Sequence, residues 1–362
     1  MNDEAYMRMA LEEAKRGRGA VNPNPLVGAV IVLGGEVLST GYHTRYGELH
    51  AERQALANLE GKSCEGATMY VTLEPCCHHG KQPPCTDAII AHKLARVVIG
   101  SRDPNPLVAG KGARILREAG IEVSEDVLRA ECDAVNHVFM HYITTHRPYV
   151  MMKTAMTLDG KIACHTGASR WVTGEAARAY VQEMRNHYKG IMVGVGTVLA
   201  DNPRLTCRLE GGRNPVRIVC DSHLRTPLAS NVVVTANEVP TILATTESDS
   251  AKHAPYLEKG CEVLLCKEAD GRVDLNDLMD KLGQKGIDGI LLEGGGGLNE
   301  SALRAGIVQG VASFIAPKLF GGASAKTPVE GVGVPSPDEA YSLAIKNVRF
   351  VGEDLLIESE VR

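Results

Sequence analysis

Three short phrases narrow the fold more than anything else in the chain: His50-Ala51-Glu52, Pro75-Cys76 and Cys85. Zinc takes a tetrahedral shell of nitrogen and sulfur, and catalytic zinc sites keep three protein ligands with one position open. His50, Cys76 and Cys85 make such a set only if three separate segments meet at one point. A layered fold in which helix starts meet strand ends satisfies that demand. His50 is expected to open a helix, and Cys76 to follow a strand and a proline. A helix N-terminus and a bound cation each favour the thiolate that ligation needs. Glu52, within the first helical turn, can fold over the metal without ligating it.

The plain alternative is that Cys76, Cys77 and Cys85 are ordinary thiols and the histidines surface residues. The ordered pattern His-x-Glu, then Pro-Cys, then Cys is far more specific, and it matches the signature of zinc deaminases acting on nucleobases. In that chemistry zinc lowers the pKa of its water to about 7, and Glu52 passes a proton from that water to the leaving amine. One departure is clear: Cys76 and Cys85 stand nine residues apart instead of three. The intervening Cys77-His78-His79-Gly80-Lys81-Gln82-Pro83-Pro84 is polar and basic. Cys77 is a weaker ligand candidate than Cys76. His78, His79 and Lys81 could ligate metal or hold a substrate phosphate, and the phosphate role is preferred for His78 and Lys81.

The remaining pattern fits an α/β protein. At 362 residues the chain has room for two domains. Hydrophobic residues at 44% supply two cores, and aromatics at 4% make those cores aliphatic. The first half alternates: a helix with Met7, Ala10, Leu11 and Ala14 on one face, a strand over 26–33, a Gly34-Gly35 turn, a strand over 36–42 and a helix over 50–59. Strands over 67–73, 96–100 and 121–123 follow, with helices over 87–93 and 112–119. A linker near Thr144-Thr145-His146-Arg147-Pro148 separates domains 1–146 and 147–362. Strands over 149–155, 190–194, 216–220, 241–244, 262–265 and 289–292 are expected in the second. A net charge of −5 argues against a broad electrostatic grip on nucleic acid. Ten cysteines spread through so long a chain suit a reducing compartment. With no secretory signal and no apolar stretch near the ~20 residues that span a bilayer, a cytoplasmic protein without membrane contact is expected.

Taken together, these phrases resemble the bifunctional deaminase-reductase family of riboflavin biosynthesis. The matching residues are Asn24-Pro25-Leu26-Val27-Gly28, His50-Ala51-Glu52, Thr72-Leu73-Glu74-Pro75-Cys76-Cys77-His78-His79-Gly80, Pro83-Pro84-Cys85 and Asp103-Pro104-Asn105-Pro106. They continue through Lys153-Thr154, Leu158-Asp159-Gly160, Trp171-Val172-Thr173, Gly196 to Pro203, Glu293-Gly294-Gly295-Gly296 and Ala316-Pro317-Lys318-Leu319. Cys77 stands where serine is more usual. The resemblance implies a cytidine-deaminase-like N-terminal domain and a dihydrofolate-reductase-like C-terminal domain. It implies a small-molecule substrate, a diaminopyrimidinone carrying a ribosylamino 5-phosphate. The first domain would use Zn2+ to replace the ring amino group by a carbonyl, and the second would use NADPH to reduce ribosyl to ribityl. A homo-oligomer is expected. By the same resemblance Asn24, His43, His78, Lys81 and Asp103 hold the deaminase substrate. Cofactor contacts fall on Ala155, Trp171, Thr197, Asp201, Ser222 and the turn Gly295, Gly296, Gly297, Leu298, Asn299, Glu300 and Ser301. Reductase substrate contacts fall on Lys153, Ser169, Arg185, Leu205, Arg208 and Glu293.

Read without the family, the second half says less. Glu293 and the four glycines after it, between an apolar strand and a helix, suit a phosphate cradle but are not a GxGxxG fingerprint. Arg185 and Arg208 make sense as phosphate partners given the resemblance; without it, solvated surface arginines are the better reading. Lys153 and Asp201 suit proton transfer during ribose opening. Ser222 and Arg225 could serve a 2′-phosphate, though the pattern is not diagnostic. The chief rival is a deaminase of RNA bases with a non-catalytic, nucleotide-binding C-terminal module. The nine-residue spacing, acidic balance and few aromatics for stacking weigh against it. A purely structural zinc, which usually has four protein ligands, ranks last.

Overall fold

The computed structural model describes residues 2–78, 82–105 and 108–362. The chain divides into two compact units, Met1–His146 and Arg147–Arg362. Among the described residues, no helix is long and apolar enough to cross a membrane.

The first unit opens with α1 (Asp3–Lys15), β1 (Gly28–Leu33), β2 (Glu36–Tyr42) and α2 (Ala51–Ala57). There follow β3 (Thr68–Leu73), α3 (Cys85–Ala91), β4 (Arg96–Ser101), α4 (Lys111–Glu118), β5 (Glu122–Ser124), α5 (Arg129–Val135) and α6 (His137–Thr145). Helix α1 starts where Asn2 accepts the Ala5 N–H at 3.1 Å, and acidic Asp3 and Glu4 face the positive end of its dipole. Its Met7, Ala10 and Leu11 pack with Val30, Val32 and Tyr70 on one face of the sheet. Ala51 and Ala55 of α2 join Ile31, Val71 and Ile99 on the other. Each fully buried large aliphatic side chain contributes roughly 1.5–3 kcal/mol.

The five strands run in the order β2-β1-β3-β4-β5. Strands β3, β4 and β5 are parallel, whereas β1 is antiparallel to both β2 and β3. The chain therefore leaves β3 and β4 at the same edge at which it enters β1 and leaves β2. The register pairs Gly28 with Tyr42 and Ala29 with Val71. Asn24, His43, Cys76 and Asp103 all lie just beyond that one edge, on four different connections.

The second unit contains β6 (Tyr149–Thr157), α7 (Glu175–His187), β7 (Gly190–Gly194), α8 (Val195–Asp201), β8 (Val216–Cys220) and α9 (Asn231–Val234). It continues with β9 (Thr241–Thr245), α10 (Ser250–Leu257), β10 (Glu262–Leu265), the hairpin β11 (Glu268–Ala269) and β12 (Arg272–Val273), and α11 (Leu275–Gln284). Next come β13 (Gly289–Leu292), α12 (Gly296–Arg304), β14 (Gly310–Ala316), β15 (Leu343–Val351) and β16 (Asp354–Val361). Nine strands form one sheet in the order β10-β9-β8-β7-β13-β6-β14-β16-β15. From β10 to β14 in that order the strands are parallel, and the Val/Ile/Leu runs of the inner ones are buried on both faces, whereas the edge strand β10 is partly exposed. Strands β16 and β15 add an antiparallel margin.

The expected strands are present to within a residue or two, and those over 190–194, 216–220, 262–265 and 289–292 coincide with the observed ones. Strands β14, β15 and β16 and the β11–β12 hairpin lie beyond the expected set. The physical reason is clearest in β15, which is exposed along most of its length and so lacks a buried face to impose alternation.

Candidate active sites of the two units

At the edge of the first sheet, His50 is the N-cap of α2, Cys76 follows β3, and Cys85 is the first residue of α3. The imidazole Nδ1 of His50 lies 3.5 Å from each of the two sulfurs. All three donor atoms fall within 4.8 Å of one another. Tetrahedral zinc with ordinary Zn–N and Zn–S bonds needs an N···S edge of about 3.6 Å. Donor chemistry and spacing thus both fit zinc. Hydrogen bonds from the Cys85 thiol and from His50 bring the Cys76 thiol down to about 4. Cys85, sharing a proton with that thiolate, is pushed the other way.

Glu52 is buried beside this set and hydrogen-bonded to the Cys85 thiol. Burial, reinforced by the Cys76 charge, raises its carboxyl to about 7. A carboxyl poised near neutrality can both accept and return a proton. His43 packs edge-on to His50 with ring centroids 5.4 Å apart. Its Nδ1 donates to the Leu49 carbonyl at 2.9 Å, so its Nε2 is the acceptor for the Asn24 amide at 3.0 Å. Burial lowers the His43 pKa, which favours the neutral ring. Asp103 accepts the Asn105 N–H at 2.8 Å, and burial raises its carboxyl to about 6. His78 has a buried Nδ1 without a hydrogen-bond partner among the described residues. Lys81, the other proposed phosphate contact, lies outside the described residues, as does His79.

Several residues hold this edge in place that the sequence reading did not single out. Buried Glu74 accepts the Gly110 and Ala113 N–H groups at 2.9 and 3.2 Å, anchoring the Pro75-Cys76 turn to the start of α4. A Cβ on Gly112 would meet the Pro75 carbonyl at 2.2 Å, so only glycine admits that approach. Asn136 donates to the Leu26 carbonyl at 2.9 Å and accepts its N–H at 2.8 Å, fixing the loop that carries Asn24. Arg53 donates to the Pro83 and Pro84 carbonyls at 3.1 and 2.8 Å, holding the insert just before Cys85. Glu74 and Arg53 lie inside or beside quoted motifs and Asn136 lies outside them, and each finds its partners in a segment distant in sequence.

In the second unit a cavity of about 990 Å³ opens beyond the carboxyl ends of β7, β8 and β13, where α/β sheets place their ligands. Ser169, Thr197, Asp201, Ser222, Glu293 and most of the 295–301 turn line it. Ala155, Trp171, Asn299, Lys153, Arg185, Leu205 and Arg208 are not among its lining residues. Trp171 is 60% exposed, with the Arg178 guanidinium 4.7 Å from its ring centroid. Two features suit a dinucleotide. The volume is at the upper end for a cofactor site, and α12 starts on Gly295 without a side-chain cap. The backbone at Gly297 is open and that at Gly295 nearly so, with only the Thr197 hydroxyl near a Cβ, at 3.9 Å. Uncapped N–H groups at a helix start suit a diphosphate.

At the wall, Glu293 is gripped from two sides. Arg185 donates to it through Nε and Nη2 at 2.7 and 3.1 Å, and Lys153 reaches it at 3.0 Å. Burial pushes the Glu293 carboxyl up, but the two cations outweigh burial and hold it at about 2. Arg185 spends Nη1 on the Thr206 carbonyl at 3.1 Å, so its bidentate edge serves Glu293. Arg208 is exposed, and its backbone N–H bonds Gln182 at 3.0 Å.

Fold and site define a class: an enzyme of two units, one a zinc-type deaminase and the other a reductase. Residues 1–101 match the cytidine and deoxycytidylate deaminase zinc-binding region, and residues 148–357 match the RibD C-terminal domain. The riboflavin biosynthesis protein RibD of Actinobacillus pleuropneumoniae is 55% identical over 358 residues, covering 99% of this chain and 95% of that one. A crystal structure of the diaminohydroxyphosphoribosylaminopyrimidine deaminase/5-amino-6-(5-phosphoribosylamino)uracil reductase of Thermotoga maritima superposes with a TM-score of 0.87 at 40% identity, covering 99% of both chains. RibD of Acinetobacter baumannii gives 0.88 at 32% identity, again over 99% of each. The chain belongs to the RibD family, the bifunctional deaminase-reductases of riboflavin biosynthesis.

Proposed function

We propose that the first unit deaminates 2,5-diamino-6-(5-phosphoribosylamino)pyrimidin-4-one and that the second reduces the ribosyl chain of the product to ribityl with NADPH. The observation carrying this reading is the convergence of His50, Cys76 and Cys85 beside the buried Glu52. Zinc, when bound to that set, supplies the acidity that makes water a nucleophile at neutral pH. Glu52 takes the proton released from water and delivers it to the departing amine. Neutral His43 fixes the Asn24 amide, whose carbonyl oxygen accepts from the ring substituents. Asp103, His78 and Lys81 hold the rest of the substrate, the last two through its phosphate.

In the second unit NADPH would supply the hydride, and the turn 295–301, with Thr197 and Ser222, would hold the cofactor. Lys153 donates a proton as the ribose ring opens, while Glu293, 3.0 Å away, aims its ammonium group. Asp201, on the cavity wall, takes part in the same proton movements. Ser169, Leu205, Arg185 and Arg208 complete the substrate contacts, with Ala155 and Trp171 bordering the cofactor. Two copies of the chain associate through exposed Ile345, Val348 and Phe350 of the edge strand β15; a Phe350→Glu protein that sediments like the parent would refute this contact.

Mass spectrometry of the substrate after incubation with zinc-replete enzyme tests the main reading. Replacement of NH by O without NADPH, followed by gain of two hydrogens when it is added, is the expected order. Deamination without reduction would demote the second unit to a binding module.

A further inference from the structure

The motifs Leu158-Asp159-Gly160 and Ala316-Pro317-Lys318-Leu319 stand where two adjacent strands end. Strands β6 and β14 are parallel neighbours, with Thr157 opposite Ala316 in the register. Their connections therefore leave the sheet side by side. Strand β16 enters at the same edge, because it runs antiparallel to β14 with Leu355 opposite Ile315.

These segments converge on the backbone beneath Trp171, the only tryptophan of the chain. The Lys318 ammonium donates to the Trp171 and Val172 carbonyls at 3.1 and 2.7 Å. Arg178 of α7 donates to the Thr173 carbonyl at 2.8 Å. Asp354, buried at the start of β16, accepts the Gly174 N–H at 2.7 Å. Residues 171 to 174 are thus each held by a charged side chain, drawn from three different segments. Lys318 is fixed in its turn. Asp159 accepts the Phe320 and Gly321 N–H groups at 3.1 and 2.6 Å, and the Lys318 carbonyl accepts the Leu158 N–H at 2.9 Å.

So firm a grip ordinarily serves packing. Val172 and Thr173 are indeed buried, yet the Trp171 ring is 60% exposed. Its plane is set as well, by the Arg178 guanidinium 4.7 Å from the ring centroid and that of Arg170 at 5.9 Å, both within the reach of cation–π attraction. Ser169, two residues earlier, lines the cavity, which puts Trp171 at its rim. An indole presents a large, flat, apolar face. Holding that face in place beforehand removes the ordering cost that binding would otherwise carry.

We propose that Lys318 and Arg178 are positioning residues of the reductase, which fix the height and plane of Trp171 so that it meets a flat ring of the nicotinamide cofactor. This rests on the reading of Trp171 as a border of the cofactor site. With one tryptophan in the chain, intrinsic fluorescence reports on Trp171 alone. The test uses full-length, zinc-loaded protein with NADP+ as the probe, since the oxidised cofactor does not absorb tryptophan emission and quenches it only by contact. The parent is expected to show high anisotropy and to be quenched by NADP+. Lys318→Met is expected to lower the anisotropy, weaken the quench and raise KM for NADPH about tenfold, the size of a lost charge-assisted hydrogen bond. Its kcat should stay unchanged, as loss of uniform binding requires. Lys318→Arg, which keeps a donor for the two carbonyls, should recover most of the loss, and Arg178→Met should repeat it. Lys318 is exposed, and an unchanged thermal transition shows that its variants fold. A fall in kcat and in the thermal transition with KM unchanged would mark a purely structural role and overturn the proposal. If NADP+ quenches the parent and both methionine variants keep its anisotropy, quench and KM, the proposal fails while the cofactor reading stands. If NADP+ leaves the parent unquenched, the cofactor reading of Trp171 fails first and the proposal with it.

Discussion

The two sites solve the problem of placing chemistry at a sheet edge in opposite ways. In the first unit the reacting groups are the protein's own, and every one is locked. His50 caps a helix, Cys85 starts another, and Glu74, Asn136 and Arg53 pin the turns between. In the second unit much of the wall is backbone, glycine and exposed side chain, and the fixed element is one carboxylate, Glu293, between two cations. The difference follows from where the reactivity resides. A protein that assembles a metal and a proton shuttle must control atoms to fractions of an ångström, whereas one that borrows a hydride must chiefly shape a bed for a large cofactor.

If that contrast holds, Cys85→Ala should have the largest effect. Zinc content should fall to background by elemental analysis, deamination should be lost, and reduction of substrate supplied already deaminated should persist. Deamination that survives without zinc would break the comparison at its root. Glu52→Gln should come next, keeping zinc but slowing deamination by about 10²–10⁴-fold, the usual worth of a positioned acid-base group. Equal slowing of the reductive step would show that the units are not chemically separate.

Arg185→Leu probes the other side. Removing one partner of a buried ion pair costs roughly 3–5 kcal/mol, so calorimetry should show the second unit melting earlier and the first unchanged. Arg185→Lys should restore part of the loss. The mildest effect is that of acid. Glu293 titrates at about 2 when folded against an ordinary 4.5. Its contribution to the stability of the second unit is therefore complete above about pH 4.5 and lost as pH falls from there toward 2. In Glu293→Gln that part of the acid dependence should disappear.

The same contrast explains what could be read from the chain alone. His50, Cys76 and Cys85 are uncommon residue types in a distinctive order with Glu52, so the cluster that the fold brings together could be nominated before any fold was known. The inner strands of the two sheets were legible because their apolar runs are uninterrupted. Glu293 was legible only as the head of a glycine run. Its grip by Arg185 and Lys153 depends on β6 and β13 being neighbours, a fact of topology separated by well over a hundred residues. Glu74 and Asn136 look like any other polar residue until the helix start or loop that each one satisfies has been brought beside it.

Strand order also has a consequence for how the polypeptide is made. The sheet of the first unit closes with β5, which ends at Ser124, so it can form while most of the chain is still being synthesised. The second unit cannot follow that schedule. Its first strand, β6, takes its neighbours from β13 and β14, the latter ending at Ala316. While the more than one hundred residues between β6 and β13 are made, this apolar segment has no permanent partner, and long-range parallel pairing of this kind is slow and exposed to aggregation. During synthesis the chain therefore carries a finished head and a still unsealed second unit, and it is the second unit that most needs protection by chaperones.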